Sequence, residues 1–156
     1  MRDGRCACGQ LNYRTDSDPI IIHCCHCSYC QRESGAAFAL NYLVEADRVT
    51  FEGEQEVVNT PSASGKGQRI IRCPTCHVAV SSHYPGLGES AHFLRVGTMN
   101  DRSGLQPDAY IYVGDKQSWV PLDPSIPAFD VFYNPAEFWS AETMARIQAA
   151  KGNNTE

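Results

Sequence analysis

The sequence predicts a mainly β protein closed by one C-terminal helix and tied together by clustered cysteines. Three observations carry that reading. Short apolar or alternating runs recur up to Val113, separated by segments rich in Gly, Pro, Asn, Asp and Ser. After Asn134 the chain changes to helix formers with a capping residue at their head. The eight cysteines fall into tight groups, four of them within the seven positions from Cys24 to Cys30.

Taken in order, residues 5–13 read as extended, with Cys6 and Cys8 two apart and therefore on one face of a strand. Gly9 allows a close turn, and Asp16, Ser17, Asp18 and Pro19 form a turn cluster before the apolar run Ile20, Ile21 and Ile22. That run is a buried strand feeding the stretch HCCHCSYCQR at 23–32. Further strands are expected over 36–44 and 49–52, at Val57 and Val58, and over 68–72, 78–84, 92–98 and 109–113. Residues 61–67, polar with two glycines, read as an exposed loop.

Asn134 is the expected cap of the helix, with Pro135 at its first position, Glu137 at its third and a stop at Gly152. Phe138, Trp139, Met144 and Ile147 would form its buried face, with a break near Ser140. The expected organisation is a domain over 1–133, with the helix and tail of 134–156 packed on it. Asn153, Asn154 and Thr155 fit a glycosylation sequon, which reads as a chance match in a frayed tail.

With 156 residues, 42% of them apolar and 10% aromatic, the chain has enough material for one core. A net charge of −5 without a basic patch argues against nucleic acid as a partner. The N-terminus MRDGRCACGQ lacks an apolar stretch of signal length, and no run approaches the roughly twenty apolar residues of a membrane span. The expectation is a cytoplasmic protein with no membrane partner. In a reducing compartment closely spaced cysteines point to metal or catalysis, and the alternative of four disulfides would require export.

The thiols form CxC (Cys6, Cys8), CxCxxC (Cys25, Cys27, Cys30) and CxxC (Cys73, Cys76) groups. Structural zinc takes four protein ligands, whereas catalytic zinc keeps three and leaves a position open. Cys6, Cys8, Cys73 and Cys76 supply a closed set from two segments, and Cys25, Cys27 and Cys30 a compact open one. Cys24 points to the opposite face of an extended chain and is set aside as a buried thiol or spare nucleophile. A fourth ligand from Cys24, His23, His26 or His83 would close the second set and make it structural. The string from Cys73 to His77 also fits a haem-attachment CxxCH, which would need export and would strand Cys6 and Cys8. A thioredoxin-like CxxC would need a βαβ setting that this β-rich stretch lacks.

These residues carry a resemblance. Gly4, Cys6, Cys8 and Gly9 as GxCxCG, Cys25 to Arg32 as CHCxxCxR, Cys73 to Cys76 as CxxC, and Gly97 and Thr98 followed by Asp101 resemble the glutathione-dependent formaldehyde-activating enzyme family. Residues 110–119 and 121–129 extend the resemblance, which spans 1–129. His77 stands where a glycine is common, Tyr110 where a histidine is common, and Cys24 is extra.

The resemblance implies several short coiled antiparallel sheets organised around two zinc ions. The structural ion would fall on Cys6, Cys8, Cys73 and Cys76, and the catalytic one on Cys25, Cys27 and Cys30. It further implies a carbon–sulfur lyase-type reaction joining glutathione or a related thiol to formaldehyde or a similar small aldehyde. Arg32, just after the cysteine knuckle, could meet a substrate carboxylate.

The first alternative is a non-catalytic zinc module that binds another protein through two structural sites. The second is a methionine-R-sulfoxide reductase, which expects a second CxxC and a late catalytic cysteine; none follows Cys76.

Overall fold

The structure, a computed structural model, describes residues 1–153. The chain begins with strands β1 (Arg2–Arg5), β2 (Asn12–Thr15) and β3 (Ile21–Cys25), followed by helix α1 (Ser28–Ser34). It continues through β4 (Ala39–Glu45), β5 (Val49–Glu52), β6 (Glu56–Thr60), β7 (Gln68–Arg72), β8 (Ala79–His83) and β9 (Ala91–Arg95). Short β10 (Ala109–Ile111) and β11 (Ala128–Phe129) precede helices α2 (Pro135–Phe138) and α3 (Ala141–Asn153).

Two sheets result: a three-stranded one in the order β1-β2-β5 and an eight-stranded one in the order β11-β10-β3-β4-β9-β8-β7-β6. Pairing is antiparallel except at β3-β10 and β10-β11, which are parallel. The expected mainly β architecture with a C-terminal helical segment is the one found.

The large sheet is covered on both sides, which is why β3 is buried at every position. Side chains alternate between faces along each strand. Ile22, Tyr42 and Leu94 stand in register on one face and pack with Leu11 and Tyr13 of the small-sheet segment. Ile21, Leu43 and Phe93 stand in register on the other, where Ile147 of α3 and Tyr133 join them.

Close approach explains one motif. A Cβ on Gly4 would collide with the Tyr13 ring and the Thr98 carbonyl, while the Tyr13 hydroxyl hydrogen-bonds Thr98 Oγ1 at 2.8 Å. The glycine of GxCxCG and the threonine of the GT pair are thus one contact.

At the C-terminus, Asn134 Oδ1 accepts from the Ala136 N–H at 3.2 Å, and Pro135 opens α2. The expected break is present: α2 ends at Phe138, and Ser140 Oγ restarts the helix by accepting from the Thr143 N–H at 3.1 Å.

Two expectations are corrected and one element is new. Residues 5–13 are not one strand: Cys6 and Cys8 lie in the turn between β1 and β2, closed by Gly9 N–H to Cys6 O at 3.2 Å and Cys6 N–H to Leu11 O at 2.9 Å. Helix α1 was unforeseen. Gly152 does not stop α3, which runs to Asn153. The remainder of the sequon, Asn154 and Thr155, lies outside the described residues.

Candidate metal centres and adjoining cavity

The β1–β2 turn supplies Cys6 and Cys8, and the β7–β8 turn supplies Cys73 and Cys76. The register of β7 against β8 shifts at Ile71 and Arg72 as the chain leaves the ladder, and the turn closes with His77 N–H to Cys73 O at 2.9 Å. The four sulfurs lie within 4.8 Å of one another. Cys6 and Cys8 are 3.5 Å apart, and Cys8 and Cys73 3.6 Å. Four sulfurs at the usual zinc–sulfur length of about 2.3 Å form a tetrahedron with edges of about 3.8 Å, so this donor set fits zinc. All eight cysteines are free thiols, so no disulfide competes for them.

The second cluster is built at the junction of β3 and α1. Cys25 ends the strand, Cys27 caps the helix and Cys30 lies in its first turn. The Cys30 N–H donates to Cys27 Sγ at 3.3 Å, as Leu11 N–H does to Cys6 Sγ at 3.3 Å. Amides aimed at sulfur suit thiolate ligands. The three sulfurs lie within 4.8 Å of one another and each residue is at least 95% buried. The charge settles on Cys27, whose thiol is lowered to about 3 by hydrogen bonds from Cys25 and Cys30, against the cost of burial. The same contacts and burial push Cys25 up. Three buried thiols that cannot ionise together without a cation suit a divalent ion.

Other candidates for a fourth ligand are engaged elsewhere. Cys24 faces away from the cluster, with its sulfur 3.5 Å from His26 Nε2. His23 Nε2 lies 2.5 Å from the Tyr133 hydroxyl, and His83 Nδ1 lies 2.8 Å from the Ala91 carbonyl. Among the described residues, the two cysteine sets are the groups that could hold a metal. Helix α1 is fixed by the loop after β10: Asp115 accepts from the Ser28 N–H at 3.1 Å, and Gln31 Nε2 donates to His26 O at 2.6 Å and Asp115 O at 2.9 Å.

A cavity of about 530 Å³ opens over the three-cysteine cluster. Its lining includes Cys25, Cys27, Cys30, Tyr29, Tyr84 and Trp139. Arg32 lies on the exposed face of α1, outside that lining.

Two features escaped the sequence reading. Arg95, 8% exposed, donates to Asn41 Oδ1 while its Nη2 is buried without a partner. By strand register it shares the cavity-side face with Asn41, and its charge is felt at Cys30. The second is the cavity wall itself, assembled from distant segments; only the helical apolar spacing of Trp139, Met144 and Ile147 hinted at it.

Fold and site together define a mainly β protein with two cysteine clusters able to hold metal ions. The chain belongs to the glutathione-dependent formaldehyde-activating enzyme family, whose model matches residues 1–115. A crystal structure of a Rhodobacter sphaeroides protein is similar at 16% identity and a TM-score of 0.48, over 67% of this chain and 91% of that one. No curated protein matches the chain. No helix among the described residues is long and apolar enough to cross a membrane.

Proposed function

We propose that this chain is a zinc-dependent carbon–sulfur lyase-type enzyme that joins glutathione or a related thiol to formaldehyde or another aldehyde. The observation that carries the reading is the set of three buried thiols opening onto a cavity, in a chain of this family. The thiol S–H adds across the carbonyl: a C–S bond forms, the C=O π bond breaks, and the proton ends on oxygen. The product is an S-hydroxyalkyl thiol, and the reverse step cleaves the C–S bond.

Cys25, Cys27 and Cys30 would hold the catalytic zinc, and Cys6, Cys8, Cys73 and Cys76 the structural one. Zinc on three thiolates supplies a Lewis-acidic position that favours loss of a thiol proton or polarisation of a carbonyl. The chain's own residues do the rest. The cavity walls exclude water and hold the two reactants together. Tyr84, whose phenol is pushed up by burial, keeps its proton and can donate to the carbonyl oxygen as charge develops there. Buried Arg95 offsets the negative charge of the thiolates. In this reading α2 and α3 belong to the same domain as the sheets, because they wall the site.

The test is Cys27→Ser. Wild-type protein should bind two zinc ions, averaging between three and four sulfur ligands by X-ray absorption, and should accelerate glutathione–formaldehyde exchange measured by NMR. Cys27→Ser should lose that acceleration and one zinc while keeping the β circular-dichroism signal. Unchanged turnover in the variant would overturn the assignment.

A further inference from the structure

The cavity has two chemically different ends. The hairpin between β6 and β7 contributes Ser62, Lys66 and Gln68, and Lys66 is solvent-exposed at the mouth. Trp139, Met144 and Ile147, from the C-terminal helical segment, wall the other part with Ile111 and Leu43, while exposed Gln148 and Lys151 of the same helix complete its lining. The sheet order sets the two apart: β6 and β7 form one edge, whereas α3 packs on β4 and on the turn at Gly88–Ser90, nearer the middle. The three cysteines open onto the space between these walls.

The space has room for more than formaldehyde. Formaldehyde is about as large as a water molecule, whose share of liquid volume is about 30 Å³. The cavity offers about 530 Å³, within the range of roughly 300–1,000 Å³ usual for sites that take drug-sized ligands. With a peptide-like thiol seated at the polar end, formaldehyde would leave the apolar end to water. Apolar walls favour an apolar occupant over water. Trp139, Met144 and Ile147 lie beyond residue 115, outside the part of the chain that the family model matches, whereas Leu43 and Ile111 lie within it. The segment is firmly seated: Arg146 of α3 ion-pairs with Glu45 of β4 and also bonds the carbonyls of Pro19 and Asp18.

We infer that the carbonyl substrate is an aldehyde with a bulky apolar body, aromatic or branched, that packs against Trp139, Met144 and Ile147 while its carbonyl faces the three cysteines. This rests on the thiol–aldehyde reading above and specifies its aldehyde. The step needs no further reactant: the thiol hydrogen moves to the carbonyl oxygen as the C–S bond forms, giving the hemithioacetal. The C-terminal helices are then the specificity element of the site.

Two measurements on the zinc-loaded full chain test this. The first is calorimetric titration with 2-phenylethanol, which carries the apolar body but no carbonyl and so reads the cavity without the chemistry. Saturable one-site binding is expected, weakened at least fivefold in Met144→Gln and in Trp139→Ala. Absence of saturable binding, or equal binding by both variants, overturns the inference. The second compares kcat/KM for phenylacetaldehyde and formaldehyde with glutathione as the thiol.

A ratio of at least tenfold in favour of phenylacetaldehyde is expected, the scale on which an apolar pocket discriminates, and Met144→Gln should lower that ratio through KM. Turnover of formaldehyde with no preference for phenylacetaldehyde overturns the inference and leaves the thiol–aldehyde reading standing. Specific binding of 2-phenylethanol by a protein that turns over neither aldehyde supports an apolar ligand and overturns the thiol–aldehyde reading.

Discussion

Arg146 of α3 grips Glu45 of β4 with two parallel hydrogen bonds, Nε to Oε1 at 2.7 Å and Nη2 to Oε2 at 2.8 Å. The paired geometry fixes orientation as well as distance, and the side chains are only 26% and 14% exposed. Arg146 also holds the Asp18 carbonyl at 2.8 Å, so one guanidinium ties the last helix to the start of β3 and the end of β4.

Replacing Arg146 with methionine should therefore cost about 2 kcal/mol, between the values for exposed and buried pairs, because Glu45 is left half-desolvated. Burial alone would raise the Glu45 carboxyl; the hydrogen bonds from Arg146 outweigh it and hold the group below its ordinary 4.5. A depressed carboxyl gives stability that is present above the unfolded value and lost as pH falls through the folded one. Urea titrations should show the difference between wild type and Arg146→Met at pH 7 and its decline below pH 4.5. A constant difference across that range would contradict the pairing.

Arg95 should matter to the metal more than to the fold. It is a buried cation with no carboxylate partner among the described salt bridges, and its charge reaches Cys30. Arg95→Met should weaken zinc at the three-cysteine set about tenfold, on the scale of 1–2 kcal/mol for one charge at moderate effective dielectric, and Arg95→Lys should restore most of it. Chelator competition followed by zinc counting reads this directly: the variant should fall from two ions to one at lower chelator concentration. Equal retention in Arg95→Met and wild type would remove Arg95 from the electrostatics of the site.

His77 occupies a left-handed backbone conformation with φ 58°, directly after the CxxC turn. This explains why the resembling family commonly has glycine there, since a Cβ in that region is strained by roughly 1–2 kcal/mol. His77→Gly should raise stability by about 0.5–1 kcal/mol, reduced by the greater freedom of glycine in the unfolded chain and by loss of the exposed His77–Glu56 contact. Thermal denaturation of the zinc-loaded protein checks the sign.

His92 makes the fold sensitive to mild acid. Burial, and then the like charge of His83, lower it to about 3. Its ring lies 3.1 Å from Ser81 Oγ and 5.1 Å from the centroid of Phe51. A depressed histidine stays neutral in the fold while the unfolded chain takes up a proton below about 6.5, so stability is full above that pH and falls beneath it. By pH 5 the loss from this group is about 2 kcal/mol. His23, lowered to about 4 by burial, adds to the same slope. His92→Gln, which can still pair with Ser81, should flatten the fall between pH 6.5 and 5 at saturating zinc.

The parts of this protein that were legible in advance are those whose determinants sit close together in the chain. Cys27 and Cys30, or Asn134, Pro135 and Glu137, declare themselves because the thiol pair or the cap is closed within one turn. Cys24 was correctly read as out of phase, because alternation along a strand depends only on neighbours. The Cys6–Cys8 turn was misread because CxC spacing suits an extended chain as well as a tight turn, and the choice rests on amides of Gly9 and Leu11 folding back onto Cys6.

Helix α1 is seven residues long, is capped by a cysteine rather than a usual capping residue, and is pinned by Asp115 from far along the chain. The cavity was least visible, since its wall joins the β6–β7 loop to a helix some 80 residues later. No local pattern encodes such a meeting.

The four-cysteine set joins Cys8 to Cys73 across 65 residues. A cross-link over that span removes about 4 kcal/mol of freedom from the unfolded chain, by the loop-entropy estimate used for disulfides. It also imposes a wait during synthesis. The first hairpin leaves the ribosome with half a ligand set, and its partners follow on the order of ten seconds later at ordinary translation rates. Until Cys76 emerges, Cys6 and Cys8 are two neighbouring thiols with nothing to share, open to oxidation or to a stray ion. Under the proposed zinc assignment, metal supply and redox state during those seconds decide how much of the newly made chain reaches the folded state.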